Sequence, residues 1–580
     1  MKKFLLLVLI GSILILAVAI VYFWLDRRLP AIPESLTGQV VDSNGPIDGA
    51  IVQVQGTPLT TTTDPGGSFT LSGLGGAAPL SITAWAEGYF VGWVTLDPQE
   101  PEFDPGQPVT ISLKPLFATD NLQYDWFSFE GVEGSASCGL CHRDYEEWLA
   151  DAHSKAAVNP RFISIYQGSD VQGHEGQLTR WDREGKARIP DPSQGYYGPG
   201  YRLDNPQRAG NCATCHTPLA SKISNTNNCG WSGCHTDLTA ERAPQVDDGV
   251  IPLHLTGDAA EGISCDFCHK IGNVLLDPET RLPYADKPGI LSMRLYRPEE
   301  GQQVFFGTLV DVTRRVSYSP LQAKSEYCAP CHFGVFGGVV GHNSVSGGVV
   351  IYNSYGEWLD SPYSDPQTGK TCQECHMPAL GVNYFVFPEK GGLQRDYATF
   401  HDHRMPGASD EQLLQNSVTM ESQAGHQEDK LYVEVRVTND QTGHHIPTDA
   451  PIRQMLLVVN AFDADGNRLE LVEGPALPAW AGDYAGNPGK AFAKVLRDEW
   501  TGEIPTAAYW RPVTIVEDTR LAAMATDVTQ YTFNLPDAKI AEVEVRLIFR
   551  RAFYELAKIK GWDDPDILME EATIHVEQSR

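Results

Sequence analysis

The chain has 580 residues, room for about four ordinary domains, and its 42% hydrophobic and 10% aromatic content excludes an intrinsically disordered protein. Acidic residues outnumber basic ones by 74 to 44, and the resulting net charge of −30 excludes the broad basic surface of a nucleic-acid-binding protein and favours basic partners. Twelve cysteines are too few for a disulfide-dense scaffold of this length.

The first predicted element is an apolar run at residues 4–25 that follows Met1-Lys2-Lys3. As a helix it would span roughly 33 Å, enough to cross a hydrocarbon core of ~30 Å. A cleaved signal peptide, with its processing site at residues 17–19, is the alternative. Cleavage there would leave a strongly apolar new terminus, so the sequence favours a retained anchor over residues 1–28. Either interpretation places the rest of the chain outside the cytoplasm, on the periplasmic or cell-surface side.

A proline-containing linker at residues 29–36 leads into short alternating strands between residues 37 and 115, which predict a small β-sandwich. The order of its turns and strands resembles the carboxypeptidase-regulatory-like, transthyretin-like module. The matching segments are Gly38-Gln39-Val40-Val41-Asp42, Pro46-Ile47-Asp48-Gly49-Ala50, Thr63-Asp64-Pro65-Gly66-Gly67-Ser68-Phe69 and Glu87-Gly88-Tyr89. The resemblance implies a spacer or adhesive role.

Regular periodicity almost disappears between residues 116 and 415, where one short helix is predicted over residues 144–157. A stretch of this length with so little strand or helix pattern normally argues against a compact domain. If the region folds compactly, a component other than side chains must supply its core. After residue 416 alternation returns, for example at Leu431, Val433, Val435 and Val437, and predicts a C-terminal β-sandwich over 416–580. The predicted fold class is therefore multidomain: an N-terminal transmembrane helix, two β-sandwiches, and an irregular domain of loops and short helices between them.

All twelve cysteines lie in the irregular domain, and each pair is followed by a histidine. Five copies read Cys-x-x-Cys-His, and a sixth has four residues between its cysteines: Cys138/Cys141/His142, Cys212/Cys215/His216, Cys265/Cys268/His269, Cys328/Cys331/His332, Cys372/Cys375/His376 and Cys229/Cys234/His235. Two thiols at this spacing add to the two vinyl groups of a porphyrin, and the next histidine binds the iron. Structural zinc sites, the alternative, do not require a histidine after every second cysteine.

The motifs therefore predict about six covalent haem c groups, with Cys229 and Cys234 the less secure pair because of their longer gap. Large, mostly apolar porphyrins would act as the missing core. Covalent attachment of haem also takes place outside the cytoplasm, in agreement with the N-terminal segment.

Six haems that each bind two histidines would need further imidazoles. His153 follows His142 by eleven residues, or roughly 16 Å of helix, so as a ligand it would serve a neighbouring haem. The two turns that contain His403 and His444 could also aim imidazoles at the haem array, with His401 and His445 as near alternatives. His254 and His342 are weaker candidates.

The central region, residues 130–460, resembles multihaem c-type cytochromes related to the tetrahaem cytochrome and hydroxylamine-oxidoreductase class. The matching segments are Ser137 to His142 with Trp148 and His153, Gly262 to His269, Glu357-Trp358-Leu359, Thr371 to Pro378, His403 to Gly407 and Gly443 to Thr448. This resemblance implies stacked haems that pass electrons.

The sequence thus favours an electron carrier between a membrane or periplasmic donor and an external acceptor, with no catalytic residue and with basic redox proteins as partners. The alternative is a multihaem oxidoreductase that acts on a small nitrogen or sulfur compound at a five-coordinate haem. Similar nitrite-reducing proteins commonly carry lysine in place of one motif histidine, and no Cys-x-x-Cys-Lys occurs here. An adhesive surface protein would leave the haem motifs without a purpose, so adhesion is at most an accessory role.

Overall fold

The computed structural model describes residues 31–191, 193–206, 212–220, 257–299, 301–340, 345–535 and 540–577. They form two compact units, one of the described residues up to Ala118 with those between Glu300 and Ser319, and one of the remainder.

The strands of the described residues, numbered in chain order, are β1 Ser35–Asp42, β2 Gly45–Pro46, β3 Ile51–Val54, β4 Thr60–Thr62, β5 Ser68–Ser72, β6 Leu80–Trp85, β7 Gly92–Leu96, β8 Val109–Ser112, β9 Ser128–Phe129, β10 Val132–Glu133, β11 Ile271–Val274, β12 Met293–Leu295, β13 Phe305–Gly307, β14 Val316–Tyr318, β15 Gly334–Phe336, β16 Val339–Val340, β17 Val345–Ser346, β18 Val349–Tyr352, β19 Thr419–Gln427, β20 Lys430–Thr438, β21 Gln454–Asp463, β22 Leu471–Glu473, β23 Gly489–Asp498, β24 Val513–Asp518, β25 Thr526–Asn534, β26 Ile540–Arg550 and β27 Ile567–Glu577. The α-helices are α1 Ser135–Gly139, α2 Tyr145–Ala150, α3 Pro160–Gln167, α4 Tyr201–Asp204, α5 Cys212–His216, α6 Cys265–Cys268, α7 Ser354–Leu359, α8 Cys372–His376, α9 Glu411–Gln415 and α10 Tyr554–Lys560.

The first unit is a small sandwich of two four-stranded sheets. One sheet has the order β2-β1-β5 with β8 parallel to β1, and the other has the order β4-β3-β6-β7. Alternate residues of the strands point inward, so that Val40 and Phe69 of one sheet meet Val52 and Ile82 of the other in one buried cluster. The parallel pair β13–β14 belongs to the same unit, where Trp85 Nε1 donates to Ser317 Oγ at 3.0 Å.

The described residues between β9 and β18 form mostly short helices and two-stranded ribbons. The helix predicted over residues 144–157 is observed as α2 followed by a separate 3-10 turn, His153–Lys155. It breaks because Asp151 is extended (ψ 158°) and its carboxylate accepts the backbone N–H of His153 at 2.9 Å. The buried apolar clusters of this region are small, and one consists of only three fully buried residues, Ala329, Tyr355 and Trp358.

The last part of the chain is a larger sandwich of a four-stranded sheet, β19-β20-β25-β22, and a five-stranded sheet, β24-β23-β21-β26-β27. Leu431 and Val435 of β20, Phe533 of β25, and Leu457 and Val459 of β21 lie in the core between them. Strict alternation along β20 leaves one of its faces polar, as expected for an antiparallel sheet with one face exposed to solvent.

Two buried cations fix the middle region to this sandwich. Arg511 donates from Nε to Asp204 Oδ2 and from Nη1 to Asp498 Oδ2, both at 2.7 Å. Lys560, at the end of α10, donates to the backbone oxygens of Ser164, Ser169 and Pro199 at 2.8, 3.0 and 2.9 Å. Because each cation has several acceptors, the cost of its burial is offset.

The fold-class prediction needs correction. Among the described residues, no helix has the length and apolar character needed to cross a membrane, and the architecture is rich in β-structure with sandwich-like sheets. The residues of the predicted transmembrane helix, within 1–28, lie outside the described residues. The interpretation rested on the length and hydropathy of the run, and nothing in the described fold supports it.

We expect Phe533→Ala to destabilise the C-terminal sandwich by about 3–5 kcal/mol, because it removes a fully buried ring and leaves a cavity. The measurement is the urea-unfolding transition followed by far-ultraviolet circular dichroism. Val528→Ala on the same strand is the control, since Val528 is 44% exposed and should change stability little. Equal effects of the two substitutions would contradict the assigned core.

Candidate functional site

Five of the six cysteine–histidine motifs lie in the described residues, on or beside single helical turns. Cys265 and Cys268 bound α6, which Ser264 caps, and Cys372 and Cys375 lie on α8 beneath a capping box of Thr371 and Glu374. One turn of helix places residues i and i+3 on the same face, so both thiols of a motif address the same side. All ten described cysteines are free, and only Cys375 is exposed. The sixth motif, Cys229, Cys234 and His235, lies outside the described residues.

The first motif extends beyond the helix on which it begins. Cys138 lies on α1, whereas Cys141 lies after the end of that helix at Gly139 and continues the turn, donating its backbone N–H to the Cys138 backbone oxygen at 3.0 Å. The backbone oxygen of Cys141 accepts the N–H of Phe387 at 2.9 Å. Cys141 is half-buried and its thiol is free. The covalent attachment of haem to Cys141, as to the other motif cysteines, stays a prediction.

The five described motifs adjoin one another. Motifs that are far apart in the sequence lie side by side: the backbone N–H of Cys265 donates to Ser135 Oγ at 3.1 Å, and that of Cys372 donates to Ser325 Oγ at 3.0 Å. Cys215 and Cys331 are close enough for each thiol to shift the pKa of the other. The Tyr327 hydroxyl, next to Cys328, donates to the backbone oxygen of Cys268 at 2.8 Å. The motif at residues 328–332 thus adjoins three others, and the motif at 265–269 connects it to the first. The motifs form one continuous cluster.

Seven predicted ligand histidines share one hydrogen-bond pattern, in which Nδ1 donates to a fixed oxygen. The pairs are His153 with Asp151 Oδ1 (2.7 Å), His216 with Ala156 O (2.9 Å), His332 with Asp449 Oδ2 (3.1 Å), His376 with Pro406 O (2.8 Å), His401 with Met377 O (2.8 Å), His403 with His401 O (3.0 Å) and His444 with His445 O (2.9 Å). Because these oxygens can only accept, Nδ1 carries a hydrogen, and in the neutral imidazole Nε2 then keeps its lone pair. Within the described part of the chain, no hydrogen bond occupies these Nε2 atoms.

The structure brings two of these histidine pairs together at a characteristic spacing. The ring centroids of His376 and His444 are 6.3 Å apart with planes 13° from parallel, and those of His153 and His332 are 6.2 Å apart. Two imidazoles that bind one metal from opposite sides, each through a bond of about 2.0–2.1 Å, have centroids about 6.3 Å apart. By contrast, the stacked rings of His216 and Phe162 are only 3.7 Å apart.

The other predicted ligands occupy different surroundings. His142 and His403 lie 3.8 and 3.9 Å from the Asp144 carboxylate, and the Phe385 ring contacts both, with centroids at 5.5 and 5.6 Å. His269 is close enough to His142 to affect its charge. No second imidazole is recorded near His401 or His445 at the ligand spacing, among the residues that the structure describes. His254 and His342 lie outside the described residues.

Burial keeps most of these imidazoles neutral, which is the form that binds a metal. It lowers the pKa of His216 to about 4 and also lowers the pKa values of His142, His376 and His403. At His332 burial acts in the same direction, but the hydrogen bond and charge of Asp449 outweigh it and raise the pKa.

Several carboxylates that position the histidines could not be found from the sequence, because they are distant in the chain. Asp449 adopts a left-handed backbone conformation (φ 58°), rare for residues other than glycine, and reaches His332 from the C-terminal sandwich. Glu357 on α7 accepts from the backbone N–H of His445 at 3.2 Å and from Arg520 Nη1 at 2.6 Å. Asp151 is the exception, since an Asp two residues before a candidate ligand is a recognisable local turn signal.

The residues present fit covalently bound haem. Thiols are paired on single turns, each pair precedes a histidine, neutral imidazoles present Nε2, and two histidine pairs stand at the spacing of axial ligands. The small buried clusters of the region agree with a core that side chains do not supply.

The N-terminal module has a known family. Residues 35–111 match the carboxypeptidase regulatory-like domain. This match confirms that a carboxypeptidase-regulatory-like module lies near the N-terminus. Among curated proteins no significant match is found.

Among solved structures, a penta-haem cytochrome c552 from Thermochromatium tepidum is similar at 20% identity and a TM-score of 0.47, covering 76% of this chain and 98% of that one. A PapD-like domain of human CEP192 covers 30% of this chain and 89% of its own, at 6% identity and a TM-score of 0.13. A family 123 glycoside hydrolase from Clostridium perfringens covers 26% of this chain and 21% of its own, at 7% identity and a TM-score of 0.12. Likenesses at TM-scores below 0.5 carry no functional conclusion for this chain, and the resemblance to the hydroxylamine-oxidoreductase class stays a prediction.

We expect Glu357→Gln to destabilise the protein by about 3 kcal/mol, because it leaves the buried Arg520 with Asp518 as its remaining ion-pair partner. The loss should appear as a lower urea midpoint. Glu421→Gln on the exposed face of β19 is the matched control and should leave the midpoint unchanged. If both variants unfold at the wild-type midpoint, the contact between Glu357 and Arg520 does not stabilise the fold.

Proposed function

We propose that the chain is an extracytoplasmic multihaem cytochrome c that carries electrons between redox partner proteins. The observation that supports this most strongly is the continuous cluster of five cysteine–histidine motifs, whose segments hydrogen-bond to one another across motif boundaries. Electron tunnelling falls steeply with distance, so centres held this close exchange electrons readily. A set of isolated structural metal sites would not need such contacts.

In this proposal the cysteine pairs of all six motifs bind haem covalently, including Cys229 and Cys234, and the histidine after each pair is the proximal ligand. His444 is the distal partner of His376, and His153 is the distal partner of His332. His403 is the favoured distal ligand among the remaining candidates, with His401, His445, His254 and His342 as alternatives. When bound, haem iron supplies reversible one-electron oxidation and reduction.

The protein residues supply position and environment. Backbone oxygens and two carboxylates hold the imidazoles in a single tautomer, and the buried ion pairs of Arg511 and Arg520 fix the segments that carry them. The net charge of −30 supports basic redox proteins as partners, since opposite charge steers association. Attachment of haem to cysteines outside the cytoplasm supports the proposed location.

Intact mass spectrometry of the mature protein should show six added haems. The double variant Cys229→Ser, Cys234→Ser should show five, because it removes only the motif with the longer gap. An identical count of five in both proteins would mean that this pair is unmodified. Absence of haem from the wild type, with zinc in its place, would contradict the proposal.

Replacement of His444 by Ala should convert one low-spin ferric centre to high spin in low-temperature EPR, because the iron bound by His376 would lose its second imidazole. His174→Ala, at an exposed histidine that contacts Asp170 and the Tyr197 ring, should leave the spectrum unchanged. A spectrum unaffected by His444→Ala would contradict the pairing. A high-spin signal in the wild type that responds to nitrite, hydroxylamine or sulfite would instead favour an oxidoreductase.

A further inference from the structure

The two histidine pairs differ in the oxygens that hold them. His376 and His444 both donate from Nδ1 to backbone oxygens, of Pro406 and His445. His153 and His332 both donate to carboxylates, Asp151 at 2.7 Å and Asp449 at 3.1 Å. Among the seven histidines that share this pattern, these are the two with carboxylate acceptors, and their ring centroids are 6.2 Å apart.

We propose that Asp151 and Asp449 set the lowest reduction potential of the protein at the site bound by His153 and His332. This inference rests on the proposed function. A carboxylate that accepts from Nδ1–H draws the proton away from the ring and makes Nε2 a stronger donor. A stronger donor stabilises the oxidised iron more than the reduced iron, so the potential falls. Two such carboxylates act on one site from opposite sides.

Hydrogen bonds from the backbone hold both carboxylates in place. Asp151 is buried, and its Oδ1 also accepts the backbone N–H of His153 at 2.9 Å. The second oxygen of Asp449 accepts the backbone N–H of Ser354 at 3.1 Å, which fixes the carboxylate against the ring. Arg453 opposes their effect as a nearby positive charge. Arg453 donates to Thr448 O at 3.1 Å, whereas Asp449 contacts the His332 imidazole itself. The carboxylate therefore has the larger effect on the potential.

The position of this site gives the low potential a consequence. The motif at residues 328–332 adjoins three other motifs, through Cys215, Cys268 and Cys372. Electrons that pass along these contacts between the motif at 138–142 and the motif at 372–376 therefore cross the least easily reduced centre. Electrons accordingly reside on the outer sites, and the central site forms an energetic step between two arms of the cluster.

The test is an optical spectroelectrochemical titration of the haem-loaded full chain and of the variants Asp449→Asn and Asp151→Asn. Asparagine keeps the shape and an oxygen that can accept from Nδ1, and it removes only the charge. The most negative one-electron step should move to a more positive potential by about 59 mV in each variant, which is a tenfold change in the equilibrium constant. The other steps should move less.

Asp170→Asn is the matched control, because Asp170 accepts from Nδ1 of the exposed His174 at 2.8 Å without a place in the cluster. It should leave every step unchanged. An unchanged lowest step in a variant that retains its full haem count would overturn the inference, as would an equal shift in the control. Loss of a haem from both variants would also overturn it, because the inference assigns charge alone to these residues. Failure of the proposed function is distinct, since the wild type would then lack haem by intact mass.

Discussion

The hydrogen bond from Nδ1 of seven predicted ligand histidines to a fixed oxygen is the interaction on which the proposed site depends. An imidazole can bind a metal only through a nitrogen with a free lone pair, and the acceptor on Nδ1 decides that this nitrogen is Nε2. In His216 and His376 the acceptor is a backbone oxygen supplied by a distant loop. The irregular segments between the two sandwiches in the sequence therefore position the backbone oxygens that accept from these histidines.

The C-terminal sandwich also contributes residues to the proposed site. It contributes Asp449 to His332, places His444 opposite His376, and anchors the middle region through Lys560 and Arg511. A rigid β-structure with its own core can hold such residues within the narrow tolerances that metal ligation demands. The region between the sandwiches has only small apolar clusters and relies on this support.

Local signals explain what could be predicted from the sequence. A Cys-x-x-Cys-His motif is complete within five residues, and the N-terminal module has the order of turns and strands that is typical of its family. Both could therefore be found from the sequence without knowledge of tertiary contacts. The partner of His153 could not be named, because His332 lies in a distant motif, and Asp449 reaches that site from another part of the fold. The interpretation of residues 4–25 as a transmembrane helix rested on length and hydropathy alone, and the described fold does not support it.

The most direct test of the proposed function is whether an iron lies between the two histidines of each pair. A high-resolution experimental structure of the haem-loaded protein would locate every iron. We expect one iron between the Nε2 atoms of His376 and His444 and another between those of His153 and His332, each within a porphyrin bound to the adjoining cysteine pair. Iron bound to a single one of these imidazoles, or the two members of a pair bound to different irons, would contradict this expectation.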